Sequence, residues 1–399
     1  MVIVPKSSSP VGDRHSVLRI LHVAPTFYPA TRWGGPIVST KALCDGLARR
    51  SDVRLRVLTT DAAGPDSGER LQLESNPAWF EAGYEVRYAR RFAWTSTSAE
   101  VLALLPKAMR WADVVHLTAT YSFPTHPVLG LARLFGKPVV WSPRGALQAT
   151  AQWPDAPRRR VKGWFERVCR LLRPRDAVLH VTSSNEAALS SARIPGIETS
   201  VIPNIIDIPE YLPPREWRPS GRMRVIFIGR LHPIKGIERL FAALARQQEH
   251  VTLDIYGSGA SAYEATLRRQ VDVLQLGARV CFHGHVDDEG KAQAFSKADV
   301  MCLPSHSENF GIVVGEALAH GVPVVTTTGT PWEGLETERC GFWVQPDEEA
   351  LTEALARLED CDLSAMGARG RKWMRRDFSE DGVVNAMLSL YRERLSIQR

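Results

Sequence analysis

The sequence predicts an α/β protein of two doubly wound, Rossmann-like domains. Three observations predict it. Short apolar runs alternate with longer helical patterns along nearly the whole chain, which implies parallel sheets flanked by helices. The alternation breaks once, over the Pro-rich and aperiodic stretch Asp207–Gly221, which reads as a linker. Polar and Gly-rich segments follow the apolar runs, at the carboxyl ends of the expected strands, where open parallel sheets bind their ligands. A length of 399 residues, 44% apolar and 24% charged, suits a globular protein of two or three domains.

Residues 1–16 are rich in Ser, Pro and Val and lack the apolar core of a signal peptide, so they read as a disordered tail. A first domain over 17–206 carries expected strands at 18–24, 55–59, 84–88, 114–118, 138–141, 177–181 and 200–202. The linker is 207–221. A second domain over 222–377 carries strands at 224–228, 252–256, 280–283, 300–303 and 322–326. Residues 378–399 form a last helix. No apolar run approaches the roughly 18 residues that a membrane span needs. The six cysteines are dispersed, without a C-x-x-C pair, which fits a reduced cytosol better than a disulfide framework. Cys281, His283 and His285 alternate along one strand, but no further ligand pair stands at a metal-site spacing, so no metal is expected.

Charge is uneven. Residues 1–210 hold 27 basic and 18 acidic side chains, against 23 and 26 in 211–399. A basic first half points to an acidic partner. The sequence has no helix-turn-helix, zinc-finger or aromatic RNP pattern, so nucleic acid is not expected. Residues 158–175 place eight cations among Val161, Trp164, Phe165, Val168, Leu171 and Leu172 at helical spacing. Such a helix either seats its apolar face on the core or lies on an anionic membrane surface.

Three strand ends carry chemistry. After the strand at 300–303, residues Ser305–Gly311 lead into a helix over 312–319 that is almost wholly apolar and is therefore expected to be packed on all sides. Glu316 lies in its middle, where a carboxylate needs a hydrogen-bonding partner. Glu308 stands eight positions earlier, beside the free amides of the helix N-terminus. This pattern suits a polyhydroxylated, phosphorylated ligand. After the strand at 224–228, Arg230 and Lys235 flank a tight turn and present two cations to one point, as a diphosphate requires. After the strand at 252–256, Gly257–Ala262 matches G-x-G-x-x-A, but the acid expected about 20 residues on is missing. The Gly loop therefore reads as a tight turn that lets a nucleotide or the other domain approach, and an NAD-dependent oxidoreductase is the weaker reading.

Together these residues resemble the retaining glycosyltransferases of family 4, with the GT-B fold of two facing Rossmann-like domains about a central cleft. Glu308 and Glu316 form the family's E-x7-E. Gly229-Arg230-Leu231-His232-Pro233-Ile234-Lys235-Gly236 is similar to its G-R-L-x-x-x-K-G loop. Pro203-Asn204-Ile205-Ile206-Asp207 is similar to P-N-G-x-D, with Ile205 in place of Gly. Ser142-Pro143-Arg144-Gly145-Ala146-Leu147 in the first domain is a further match. The resemblance implies that the first domain binds an acceptor and the second a nucleotide-sugar donor, with no cofactor and no metal. It implies that Arg230 and Lys235 neutralise the departing nucleoside diphosphate, that Glu308 and the amides of Asn309, Phe310 and Gly311 hold the donor sugar, that amides of Ile312 and Val313 face the diphosphate, that Glu316 binds ribose, and that Gly35 closes over the phosphates. It further implies that the last helix crosses back to the first domain. The family's H-x-H is incomplete here, with Thr118 in the place of the second His, so that residue's sugar contact is not carried over, and His116 reads equally as a functional or a plain strand residue. A glycan or lipid-linked acceptor in cell-surface polysaccharide or lipopolysaccharide synthesis is the expected setting, in the cytoplasm or at the inner face of the cell membrane. The alternative is a non-catalytic nucleotide-sugar-binding protein of the same fold, against which the intact Arg230, Lys235, Glu308 and Glu316 set argues.

Overall fold

The computed structural model describes residues 17–64, 68–92, 97–148 and 158–397. The expected tail, 1–16, lies outside them. The first sheet is formed by β1 (Leu18–Val23), β2 (Val53–Thr60), β3 (Ala78–Phe80), β4 (Tyr84–Ala89), β5 (Val114–Thr118), β6 (Val139–Ser142), β7 (Val178–Val181) and β8 (Glu198–Val201), in the order β3-β4-β2-β1-β5-β6-β7-β8. The second is formed by β9 (Met223–Ile228), β10 (Val251–Tyr256), β11 (Val280–Gly284), β12 (Val300–Leu303), β13 (Val324–Thr327) and β14 (Gly341–Val344), in the order β11-β10-β9-β12-β13-β14. All pairings are parallel except β3 with β4. The two edge strands β3 and β14 escaped the sequence reading, because they are short and carry little periodicity. The inner strands β5, β6, β7, β12 and β13 are buried at every position, as parallel strands covered on both faces should be.

Helices fill the crossovers: α1 (Gly35–Ala48), α2 (Ala99–Trp111), α3 (Thr125–Leu134), α4 (Arg159–Leu172), α5 (Ser184–Ser191), α6 (Ile237–Ala245), α7 (Ser261–Val273), α8 (Asp288–Lys297), α9 (Ile312–Ala319), α10 (Gly334–Thr337), α11 (Glu348–Arg357), α12 (Leu363–Asp377) and α13 (Glu380–Ser396). Several start where the sequence offers a capping side chain. Ser98, Ser183, Asp287, Asp347, Asp362 and Ser379 each accept a hydrogen bond from the backbone N–H three residues on.

One core lies in the second sheet and its helices. The first sheet has a core on each face. Val383, Val384, Met387, Leu388, Leu390 and Tyr391 of α13 belong to one of these first-sheet cores. Arg392 pairs with Asp52 at 2.5 Å and Arg394 with Glu198 at 2.5 Å, so α13 is tied to the first sheet although α12 before it packs against α9 of the second. The chain thus crosses between the halves twice, near 203–207 and near 378. The crossings touch, where the Ile206 N–H donates to the Phe378 carbonyl at 3.0 Å.

The Pro-rich stretch 207–221 is not a free spacer. The Arg215 guanidinium donates to the carbonyls of Phe295, Ala298, His320 and Gly321, and that of Arg218 to those of Leu358, Glu359 and Cys361. Two arginines strap the segment to the second domain. Ile205, which replaces the Gly of the resembling motif, is buried and is not among the residues with positive φ.

Candidate active site

The loops after β9 and β12 lie side by side because those strands are neighbours in the sheet. The first turns tightly over Pro233–Lys235 and ends at Gly236, whose φ is 62°. A Cβ there would stand 2.5 Å from the Pro304 carbonyl oxygen, so only glycine permits this approach. The His306 N–H donates to the Ile234 carbonyl at 2.8 Å and locks the two loops together. The result is contact between two residues 73 positions apart: Lys235 Nζ donates to Glu308 Oε1 at 2.5 Å, and Ser305 Oγ to the same oxygen at 2.7 Å. Arg230, at the end of β9, is exposed and has no hydrogen-bond or ion-pair partner among the described residues.

Gly311, with φ 72°, caps α9. The N–H groups of Asn309, Phe310, Gly311, Ile312 and Val313 reach no acceptor among the described residues. Free amides before and at a helix start are groups to which anions are attracted. Their backbone is held from beneath. The Phe310 side chain is buried against Trp332 and Phe378, and Trp332 Nε1 donates to the Phe310 carbonyl at 2.6 Å. Phe310 can therefore offer its amide but not its ring.

The expectation that α9 is packed on all sides fails on one face. Ile312, Val313 and Glu316 are half-buried. Ile312 and Glu316 line a cavity of about 630 Å3 between the halves, with Val38, Ser39 and Ala42 of α1 opposite and residues 205–210 as its floor. The apolar run is explained by the helix's other contacts, including the hinge: a Cβ at Gly315 would stand 2.5 Å from Ile206 Cδ1. Glu316 is also not alone, since Lys291 Nζ of α8 donates to its Oε1 at 2.9 Å. Gly35 opens α1 after Gly34, with nothing within 4 Å of a built Cβ. The structure brings α1 to the cleft through Val38, Ser39 and Ala42 and leaves Gly35 outside the cavity lining.

The Gly257–Ala262 loop is shaped by its glycines. A Cβ at Gly257 would stand 1.9 Å from the Gly229 carbonyl oxygen, and one at Gly259 2.1 Å from that of Leu231. These glycines let the loop after β10 press on the Arg230 loop of the same sheet, a close approach within the second domain. The strand motif at Cys281 and His283 gains Asp254 from β10, with ligand atoms all within 4.8 Å of one another. His283 Nε2 meets Asp254 at 2.6 Å, and His285 stays outside the group.

In the first domain His116 is a core residue. Tyr391 Oη, His116, Ser142 Oγ and His180 form a buried chain, with links of 2.6 Å to His116 Nδ1 and 2.7 Å on either side of Ser142, ending on the Ile202 carbonyl at 2.9 Å. One assignment satisfies every link: each group donates onward only if both imidazoles are neutral. Burial holds them so, lowering His180 to about 3 and His116 well below its ordinary value, and it lowers the stacked His22 to about 3. Beyond the end of β6, Gly145 abuts the second domain. A Cβ there would stand 2.8 Å from the Asn309 side chain, and Gln148 Nε2 donates to Asn309 Oδ1 at 3.2 Å.

Comparisons with known proteins agree with this architecture. Residues 213–373 match the family model described as glycosyl transferases group 1, and residues 34–205 the glycosyl transferase 4-like domain. A glycogen synthase of Mycobacterium tuberculosis is 30% identical over 297 residues, covering 70% of this chain and 68% of its own. The chain belongs to the group 1 glycosyl transferases. A D-inositol 3-phosphate glycosyltransferase of Xylanimonas cellulosilytica is 29% identical over 95% of this chain and 96% of its own. Among solved structures, Anabaena HepE in complex with UDP has a TM-score of 0.73 at 20% identity, covering 93% of this chain and 99% of that one. Sucrose-phosphate synthase of Thermosynechococcus elongatus has 0.69 at 22%, covering 95% and 100%. These likenesses establish the GT-B fold for this glycosyltransferase.

Lys291, Trp332, Phe378 and Gln148 belong to the site's support and escaped the sequence reading. Each reaches it from a distant element, and only the fold makes them neighbours.

Proposed function

We propose that this glycosyltransferase moves a sugar from a nucleoside diphosphate donor to a glycan or lipid-linked acceptor, with retention at the anomeric carbon and without a metal. The observation that carries the reading is the meeting of Lys235 and Glu308 beside five free amides. Arg230, Lys235 and the start of α9 are suited to the charge of a departing diphosphate, the work a metal does elsewhere. In this reading Glu308 and the Asn309–Gly311 amides hold the sugar, and Glu316 accepts from ribose hydroxyls once Lys291 yields one oxygen. The bond from the anomeric carbon to the phosphate oxygen breaks, the acceptor oxygen forms the new bond on the same face, and the acceptor's proton passes to the leaving phosphate.

We also propose that the protein rests on the inner face of an anionic membrane through α4, in cell-surface polysaccharide or lipopolysaccharide synthesis. No described helix is long and apolar enough to cross a membrane. Phe165, Val168 and Leu172 are half-buried, but Val161, Trp164 and Leu171 are 61%, 61% and 71% exposed, and Arg159, Arg160, Arg167 and Arg170 are exposed around them. A lipid surface accepts such a mixed face.

The deciding experiment measures nucleoside diphosphate release from UDP-, GDP- and ADP-sugars, with and without candidate acceptors. Release from one base class, increased by an acceptor, is expected. Binding of a nucleotide-sugar without release under any condition would favour the non-catalytic alternative.

A further inference from the structure

Among the described residues Arg144 has fewer partners than most half-buried arginines. Half-buried Arg215 and Arg218 each spend their guanidinium on several carbonyls, and buried Arg394 on two carboxylates. Arg144 is likewise half-buried, yet it has one partner, the neutral Asn204 Oδ1. Among the described residues its Nε has no acceptor, as is also true of Arg218 and Arg394, but unlike Arg394 it has no carboxylate within ion-pair distance.

The surroundings supply no carboxylate in contact with Arg144, only the charge of Glu186 acting through space. His22, His116 and His180 are neutral, and burial raises the Cys44 thiol and the Tyr391 phenol, keeping them neutral too. The nearest acid is Glu186, and its oxygens are committed to the Gly145 N–H at 2.6 Å and to the N–H and Oγ1 of Thr182 at 2.8 Å each. On the neighbouring strand Thr118, in register with Ser142, has a buried Oγ1 without a partner.

The backbone holds Arg144 in this position at a cost. Arg144 has φ 51° and Gly145 φ 81°, so two consecutive left-handed residues turn the chain at the end of β6. Such a conformation is unfavourable for a residue with a Cβ and persists where the surroundings impose it. The turn sets Gly145 against Asn309, beside the carboxylate and amides described above. Of the second-domain cations at the site, Lys235 is paired with Glu308 and Lys291 with Glu316, while Arg230 has no partner among the described residues.

Resting on the transferase reading, we propose that Arg144 binds an anionic oxygen group, a phosphate or a carboxylate, at the first-domain wall of the cleft opposite Asn309. A guanidinium fork with unused donors fits two oxygens of one such group. The group has two sources, the donor's diphosphate or an acidic substituent on the acceptor, and the test separates them.

Calorimetry on the full chain and on its Arg144→Gln and Arg144→Lys variants would use UDP and GDP as probes. Inorganic phosphate would follow, alone and with saturating nucleoside diphosphate. A loss of about tenfold or more in nucleoside diphosphate affinity in Arg144→Gln assigns the donor, and the same loss for phosphate alone assigns an acidic acceptor. Arg144→Lys keeps the charge without the fork, so an intermediate affinity is expected, and it serves if Arg144→Gln does not fold. Ligand-free Arg144→Met should melt no lower than the wild type, because removal of an unpaired cation offsets its lost packing. Unchanged affinity for all probes in Arg144→Gln and Arg144→Lys would overturn the proposal, as would a lower-melting Arg144→Met with unchanged affinities. A wild-type chain that binds neither UDP nor GDP would overturn the donor reading, and the phosphate titration would still decide the role of Arg144.

Discussion

Arg230 and Lys235 share a loop but differ in what holds them, and that difference predicts different outcomes. Arg230 is exposed and unpaired among the described residues, whereas Lys235 is paired with Glu308 on a neighbouring loop. Replacing either by Ala should lower turnover by about 10²–10³, the scale of losing one preorganised stabiliser of developing charge. Only Lys235→Ala should also lower the melting temperature, because it leaves the Glu308 carboxylate, 14% exposed, without its cation. Turnover and melting curves on both variants check this, and near-normal turnover in both would remove them from the reaction. Glu316→Gln should weaken donor affinity by about 1.5–3 kcal/mol, the range for a hydrogen bond to a charged group. A drop in melting temperature with unchanged donor affinity would instead make the pair with Lys291 its whole role.

Two elements carry testable properties of their own. Helix α4 joins the core through Phe165 and Leu172 and exposes Val161, Trp164 and Leu171 among arginines. Each cation near an anionic bilayer adds about 1 kcal/mol, weakened by salt. The protein should sediment with vesicles containing anionic lipid, less as salt rises. Gln at Arg159, Arg160, Arg167 and Arg170 should release it while sparing activity on a soluble acceptor. Equal sedimentation with neutral vesicles would refute the charge-driven part. Helix α13 is pinned to the first sheet through Tyr391 and the neutral imidazole chain. His22 and His180 are lowered to about 3 when folded, and His116 is lowered as well. The unfolded chain takes up these protons near pH 6.5, so stability is full above about 6.5 and falls as pH drops toward 3. The loss reaches up to about 1.4 kcal/mol per pH unit for each histidine. Urea unfolding across this range should show that slope, and His180→Gln should make it shallower.

At the scale of the whole molecule, two crossings joined by one backbone hydrogen bond let the halves move while α9 bears on Ile206. A Cβ at Gly35 would have nothing within 4 Å, so the start of α1 has room to move. Nucleoside diphosphate should draw α1 toward the start of α9. Small-angle scattering should then report a smaller radius of gyration with UDP or GDP bound, and an unchanged radius would argue against closure.

The fold class was legible because it rests on local pattern, and the glycosyltransferase class because the loop motifs resemble a known family. Alternating apolar and helical periods specify parallel sheets wherever they occur. A carboxylate eight residues after another, or two cations five apart around a turn, identifies a loop without reference to the rest of the chain. Contacts between loops were not legible in the same way. That Lys235 meets Glu308, that Lys291 occupies Glu316, and that Trp332 holds the Phe310 backbone depend on strand order and crossover direction, which bring residues tens of positions apart within hydrogen-bond distance. The sequence determined that α9 is apolar. Only the tertiary structure decided that one of its faces opens on a cleft, because that face lies where the two halves meet. It likewise turned His116 into a neutral core residue and left Arg144 without an acid, since charge and burial at a point are sums over every element packed around it.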